Sequence, residues 1–190
     1  SAAVGRPQNG KLINGELLPA GRGYYRRRPH LAWGTNETIS GLRSAIEAVR
    51  AKHPKIHDVA VGDISSEHGG KLRRHKSHQS GRDVDLGLYF LKQRKKGPRA
   101  FISALRHPMD LAANWTLLKA LVSTNQKGAR VSYIFLDYTV QKKLYQWAKK
   151  QGVKQKTLDW MFQYPRGRRA MRGIIRHEPG HADHYHIRFR

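Results

Sequence analysis

The chain of 190 residues contains no cysteine. This absence excludes disulfide bridges and any zinc site built from thiolates, so metal binding would have to use histidine and carboxylate side chains. The sequence also has no run of about 18 apolar residues, which predicts no membrane-spanning helix. No signal peptide is visible at Ser1, and the small-residue start "SAAVG" suits a mature N-terminus after cleavage as well as a trimmed chain.

Acidic residues are scarce, with 13 Asp and Glu against 37 Lys and Arg and a formal net charge of +24. Such a charge favours a polyanionic partner: nucleic acid, anionic lipid headgroups or an acidic cell-wall polymer. Charge alone indicates no chemistry. Specific nucleic-acid binding is one hypothesis, but the sequence has no recognisable recognition helix, aromatic stacking motif or cysteine-histidine finger.

The order of helical and strand patterns predicts an α+β fold in one domain spanning residues 1–190. Residues 1–35 carry frequent Gly and Pro and predict an extended, turn-rich N-terminal arm. Helices are predicted in "TNETISGLRSAIEAVRAKHP", in residues 112–123 and in "TVQKKLYQWAKKQG", the first capped by Thr35 or Asn36. Strands are predicted in "KIHDVAVGDIS", "VDLGLYFLK", "ARVSYIFLDY" and "HYHIRFR". We expect a mainly antiparallel sheet with the helices packed on one side.

Most aromatic residues are expected to be structural. The four tryptophans lie in or near apolar patterns, so we expect each of them to pack in the core. Tyr185 alternates with two histidines along a predicted strand, so its ring should face the opposite side of the sheet from theirs.

Seven of the eleven histidines lie in two short stretches of the chain: His68, His75 and His78 in the first, and His177, His181, His184 and His186 in the second. The first stretch leads to Asp85 at the head of a predicted strand. In the second, His184 and His186 are two residues apart on a predicted strand and therefore share one face of it.

His78, Asp85 and one histidine of the final pair together offer two nitrogens and one carboxylate oxygen. This is the donor set of catalytic zinc sites, which keep the fourth position open for water. The other histidine of the pair would then lie beside that water, where a general base or an oxyanion stabiliser is needed. In the competing interpretation, the histidines are surface residues and Asp83 and Asp85 are turn residues or partners of Arg82 and nearby lysines.

Two segments, "SHQSGRDVDLGLYF" and "HEPGHADHYHIRF", resemble the two signatures of the penicillin-insensitive murein endopeptidases. These are zinc peptidases of the superfamily that includes lysostaphin-type enzymes and D-Ala-D-Ala carboxypeptidases. The resemblance extends through "LINGELLPAGRGYY", "AWGTNETISGLRSAI" and "VGDIS". It implies that the zinc ligands are His78, Asp85 and His186. It also implies that His184, and secondarily His181, act on the water or the oxyanion, and that His75 lines the cleft. Glu178 and Asp183 are lesser candidates for the base.

The resemblance also implies the reaction, hydrolysis of a D-alanyl–diaminopimelate bond in peptidoglycan cross-links, in the periplasm or outside the cell. The alternatives are a D,D-carboxypeptidase, another wall-peptide amidase, or an inactive wall-binding module on the same fold. Zinc is the expected metal, although the same donors accept cobalt or manganese. Some of the basic residues that flank the first motif are expected to bind substrate carboxylates; they are Arg73, Arg74, Lys76 and Arg82.

Overall fold

The computed structural model describes residues 1–123 and 130–190. Its helices are α1 (Asn36–Lys52), α2 (Leu111–Ser123), α3 (Tyr138–Lys150) and α4 (Gln155–Met161), with a short 3-10 helix at Pro29–Leu31. Its strands are β1 (Ala2–Arg6), β2 (Asn9–Ile13), β3 (Glu16–Leu17), β4 (Tyr24–Arg26), β5 (Trp33–Gly34), β6 (Val59–Val61), β7 (Asp83–Gly87), β8 (Val131–Phe135), β9 (Ile175–Arg176) and β10 (His184–Phe189). The predicted helices and strands are present, with Ala129 of one predicted strand outside the described residues. The sequence did not predict α4, β9 or the short strands before α1.

A six-stranded mixed sheet forms the centre of the fold, in the order β4-β6-β7-β10-β8-β9. Its inner pairings, β6 with β7, β7 with β10 and β10 with β8, are antiparallel, whereas the outer pairs β4–β6 and β8–β9 are parallel. This confirms the predicted α+β class with a mainly antiparallel sheet. The two strands that end the histidine motifs, β7 and β10, are neighbours in the middle of the sheet.

The first helix forms as its sequence predicts. Its N-cap is Thr35, whose side-chain oxygen accepts a hydrogen bond from the backbone N–H of Thr38 at 3.2 Å. The helix ends at Lys52, and Pro54 follows two residues later. Its apolar face packs towards α2 and is almost completely buried; it comprises Ile39, Leu42, Ala45, Ile46 and Val49.

The two faces of β10 have different neighbours. Tyr185, Ile187 and Phe189 are fully buried, and the Tyr185 hydroxyl donates a hydrogen bond to Asn114 Oδ1 of α2 at 3.0 Å. The alternate residues, His184 and His186 among them, lie on the opposite face and remain partly exposed. The helical layer therefore covers one face of the strand, and the face that carries the histidines lines a cleft. This is the arrangement predicted from the alternation of Tyr185 with His184 and His186 along the strand.

The expectation of four core tryptophans is wrong for Trp160. Trp115 is 6% exposed and Trp33 and Trp147 are partly buried, but Trp160 is 50% exposed. The short helix α4 turns Leu158 and Met161 into the core, so the tryptophan between them lies on the solvent side. Among the described residues, no helix combines the length and apolar character needed to cross a membrane.

The predicted turn-rich arm contains a hairpin made by β1 and β2, in which Arg6 pairs with Asn9 next to the turn. The hairpin is tied to the loop that carries the first histidine motif: the Gln79 N–H donates to the Pro7 carbonyl at 3.1 Å, and Arg82 Nη2 donates to the Gly5 carbonyl at 2.7 Å. The arm therefore supports one wall of the cleft.

Candidate metal centre

The two histidine motifs meet across the antiparallel pairing of β7 with β10. In its register, His186 is directly opposite Asp85, Arg188 is opposite Asp83, and His184 is opposite Gly87. Side chains that are directly opposite in an antiparallel pair lie on the same face of the sheet. The strand register therefore brings together residues that are about 100 positions apart in the chain.

His78 is fixed by the loop that precedes β7. Its backbone lies in the left-handed region at φ 67°, and its N–H donates to Asp83 Oδ2 at 3.1 Å. Its ring Nδ1 donates to the Ile64 carbonyl at 3.0 Å, because a carbonyl can only accept. This bond leaves Nε2 without its hydrogen, 3.2 Å from Asp85 Oδ1.

His186 approaches the same carboxylate oxygen from β10. Its Nδ1 is 3.3 Å from Asp85 Oδ1, and its Nε2 is 3.5 Å from Asp83 Oδ1. Asp83 also holds Arg188, with Nε 2.8 Å from Oδ1 and Nη2 3.0 Å from Oδ2. Each of the two imidazoles thus has one nitrogen towards Asp85 Oδ1 and the other towards an oxygen behind the site, the arrangement typical of metal-binding histidines.

Two separations in this donor set match those around a tetrahedral metal ion such as zinc. Donor atoms about 2.0–2.1 Å from such an ion are separated by about 3.3 Å, close to the two observed separations from Asp85 Oδ1. His78 Nε2 and Asp85 Oδ1 are buried and have no hydrogen-bond partner in the described parts of the chain. Unpartnered buried polar atoms are costly, and a cation between them would satisfy them.

His75 extends the cluster. Donor atoms of His75, His78 and Asp85 all lie within 4.8 Å of one another. Nε2 of His75 is 2.7 Å from Asp63 Oδ2, so it carries the hydrogen, and Nδ1 is 3.9 Å from Asp85 Oδ2. The His75 ring therefore lies beside the candidate centre itself, and not only in the wall of the cleft.

His184 and His181 lie beside this cluster. His184 Nδ1 is 2.6 Å from Asp183 Oδ1, and its Nε2 is 3.7 Å from Asp85 Oδ1. The His181 ring centre is 4.8 Å from that of His184 and 5.8 Å from that of His186. All six histidine and aspartate side chains that the sequence assigns to the site are therefore neighbours in the structure.

The charges of the site are strongly coupled. Burial alone would raise the pKa of Asp83, but the close approach of His186 and the hydrogen bonds from Arg188 outweigh it and hold that pKa far below its usual range. The pKa of Asp85 is also well below its ordinary value, because contacts with His186 and His78 outweigh its burial. Both groups are therefore carboxylates at neutral pH, which is the state that binds a cation.

The cluster opens into a cleft of about 500 Å³. Of the four basic residues that flank the first motif, Arg74 and Lys76 line the cleft, while Arg73 and Arg82 are not part of its wall. Glu178 lines the cleft as well, whereas Asp183 contacts His184 directly. The structure thus distinguishes which of these basic and acidic candidates lie in the cleft wall and which do not.

Sequence reasoning did not assign a role in the site to three residues. Asp63 is buried and holds both His75 and Arg28. Asp83 holds Arg188 and lies beside His186, not beside Arg82 as one interpretation of the sequence had it. Phe101 stacks on His184. The Asp-x-Asp spacing facing His-x-Arg across a strand pair was the signal that could have identified Asp83; nothing in the sequence singles out Phe101.

Comparison with known proteins agrees with this geometry. A search of the curated proteins found no significant match. The family profile described as penicillin-insensitive murein endopeptidase matches residues 3–190, which is nearly the whole chain. Both histidine stretches and the sheet that brings them together lie inside the matched region, and the chain belongs to the penicillin-insensitive murein endopeptidase family.

Proposed function

We propose that this protein is a zinc-dependent murein endopeptidase that hydrolyses D-alanyl–meso-diaminopimelate cross-links of peptidoglycan. The observation that carries the proposal is the convergence of His78 Nε2 and His186 Nδ1 on Asp85 Oδ1 in a chain of this family. These three residues are the proposed zinc ligands. The proposed place of action is the cell wall, in the periplasm or outside the cell.

The chemistry that zinc supplies in such a site is a water ionised near neutral pH and a polarised scissile carbonyl. The protein's own contribution is proton transfer and orientation. His184 is the proposed general base: its Nδ1 is engaged by Asp183, so Nε2 carries the lone pair and faces the candidate centre. That nitrogen would take a proton from the attacking water and deliver it to the leaving amine.

His181 is the proposed second histidine of the proton pathway. Its Nδ1 donates to the Pro179 carbonyl at 3.0 Å, which leaves Nε2 free on the side of the cleft. Burial lowers the pKa of His181. A neutral imidazole with a free Nε2 accepts protons, so His181 is suited to support His184 in the pathway.

Substrate binding is proposed to use the basic wall of the cleft. Arg74 and Lys76 are exposed, line the cleft, and have no ion pair within the described residues. A stem peptide that carries carboxylates would find charge partners there. The large net positive charge would in addition hold the enzyme near an anionic cell wall, in a manner that salt weakens.

The proposal is tested by measuring bound metal and digestion of purified cross-linked muropeptides side by side. The variants are His186→Ala and His184→Ala, with His30→Ala as a matched control that removes an exposed histidine far along the chain from either motif. The wild type and the control should bind about one zinc ion per chain and convert cross-linked dimers to monomers.

The two site variants should fail in different ways. His186→Ala should lose both zinc and activity. His184→Ala should keep zinc and lose activity by about 10²- to 10⁴-fold, the usual contribution of a general acid–base residue. A wild type that binds no zinc even when zinc is supplied would contradict the metal site. Zinc binding with release of terminal D-alanine, and no cleavage of cross-links, would establish the carboxypeptidase alternative instead.

A further inference from the structure

Phe101 packs face to face on the ring of His184. The two ring centres are 4.8 Å apart and the ring planes differ by 12°. Phe101 lies in the irregular segment between β7 and α2, and His184 begins β10. The contact therefore joins a loop residue outside both histidine motifs to the proposed general base.

Arg27 also contacts the ring of Phe101. The Arg27 guanidinium carbon lies over the Phe101 ring, 4.3 Å from its centre. Phe101 is therefore in contact with both Arg27 and His184. The cation–π contact helps to hold the ring in the position in which it stacks on the histidine.

The absence of a side chain at Gly62 leaves space for the ring of Phe101. A Cβ at Gly62 would lie 2.8 Å from Phe101 Cζ, so the ring occupies the space that the glycine leaves free. The Ala104 N–H donates to the Ala182 carbonyl at 2.8 Å. This bond ties the loop of Phe101 to the segment that immediately precedes His184.

His184 is therefore constrained on two sides. Phe101 covers one face of its ring, and Asp183 engages its Nδ1 at 2.6 Å. The Nε2 edge is left towards Asp85 and the cleft. Rotation of the ring about its side-chain bonds would break the stack and turn Nε2 away from the position in which a proton is transferred.

We infer that Phe101 is a positioning residue, which holds the His184 imidazole by stacking so that Nε2 stays directed at the reacting centre. The inference rests on the proposed function, because it takes His184 as the general base. Phe101 itself touches no proposed ligand in the described contacts and moves no proton. Its contribution is orientation, for which small displacements have large effects on rate.

The experiment compares Phe101→Leu, which removes the aromatic face, with Phe101→Trp, which keeps one. Tyr138→Leu is the matched control, because it breaks an arginine–aromatic contact, with Arg168 at 5.3 Å, that lies outside the cleft wall and does not involve His184. Each variant is measured for kcat and KM on cross-linked muropeptides, for bound zinc, and by NMR for the ring protons of His184. A stacked aromatic ring shields those protons, so their chemical shifts report the stack independently of activity.

In Phe101→Leu we expect kcat to fall by about 10- to 100-fold with KM and zinc content unchanged, and the His184 ring protons to lose their shielding. Phe101→Trp should keep the shielding and recover most of the turnover, and Tyr138→Leu should resemble the wild type. Loss of shielding with unchanged kcat would overturn the inference. Loss of zinc together with kcat would overturn it too, because Phe101 would then support the whole centre.

The failure of the proposed function would look different. If the wild type cleaves no cross-linked muropeptide, that result alone contradicts the proposed function, whatever the NMR spectra of the variants show. An active wild type whose His184 ring protons are unshielded would contradict the stacking and leave the endopeptidase intact.

Discussion

Asp83 and Arg188 face each other across the β7–β10 pairing and form a bidentate ion pair, with Nε–Oδ1 and Nη2–Oδ2 separations of 2.8 and 3.0 Å. Asp83 is fully buried, and His186 Nε2 lies 3.5 Å from the same Oδ1. One carboxylate therefore anchors an arginine of the cleft wall and contacts the outer edge of a proposed ligand. Such contacts behind a metal site orient the ligand and increase its basicity.

Asp83→Asn should weaken zinc binding while leaving the three proposed ligands in place. The amide keeps the shape of the side chain but loses the negative charge beside His186. We expect zinc affinity, measured by competition with a chelator, to fall by about 10- to 100-fold. Asp159→Asn is the control, because it breaks an ion pair with Arg166 (3.2 Å) that is not part of the cleft. Equal zinc affinity in the wild type and Asp83→Asn would show that the charge of Asp83 does not support metal binding by His186.

His75→Ala distinguishes two possible ligand sets. The ring of His75 belongs to the compact His75, His78, Asp85 cluster, but its Nε2 is bound to Asp63 and its Nδ1 is 3.9 Å from Asp85 Oδ2. Because His186 makes the shorter approach at 3.3 Å, His75→Ala should retain zinc after dialysis and His186→Ala should not. The reverse result would make His75 the third ligand and His186 a neighbour of the site.

The residues that the sequence assigned to the candidate centre lie together in the structure because they belong to short, strongly patterned segments. The spacing of His184 and His186 fixes them on one face of a strand, and the alternation places Tyr185 on the other. The position of Asp85 near the start of β7 likewise fixes the face of the strand on which its side chain lies. What the sequence alone left open was which histidine of the final pair approaches Asp85 Oδ1; the strand register places His186 directly opposite it.

The missed features depend on contacts between segments that carry no pattern of their own. Phe101 lies in an irregular stretch, so no periodicity shows which neighbour it meets. Asp63 is a lone acidic residue in the sequence, and its pairing with both Arg28 and His75 arises only when three loops come together. The wrong prediction for Trp160 has the same origin, because a seven-residue helix is too short for its buried face to be inferred from spacing.

The double variant Arg74→Gln/Lys76→Gln should weaken substrate binding more than turnover. Both side chains line the cleft and neither is a proposed ligand or base. We expect KM for muropeptides to rise by about twofold to tenfold with kcat nearly unchanged, since exposed charge pairs contribute little each. The double variant Lys71→Gln/Arg73→Gln carries the same charge change on exposed residues outside the cleft wall and is the control. An equal rise in KM in both double variants would show that net charge, not the cleft, binds the substrate.

His57 is a buried neutral imidazole remote from the candidate centre. Its exposed fraction is 3%. Its Nδ1 donates to the Asp58 carbonyl at 2.7 Å, and its Nε2 accepts from the Phe90 N–H at 2.9 Å. Burial lowers its pKa below the usual value of 6.5, and this outweighs the opposing effects of Asp58 and of the Asp110 charge. Protonation in the folded state would replace the acceptor of the Phe90 N–H with a second donor.

His57 should therefore make the fold less stable in acid. As the pH falls below about 6.5, the unfolded chain binds a proton at this imidazole before the folded chain does, so the free energy of unfolding decreases. Urea unfolding of the wild type at pH 8 and pH 5 should show a larger loss than the same measurement on His57→Gln, which cannot titrate there. His30→Gln, which changes an exposed histidine, should lose as much as the wild type. If His57→Gln lost as much stability as the wild type between the two pH values, the acid sensitivity would have to come from other groups.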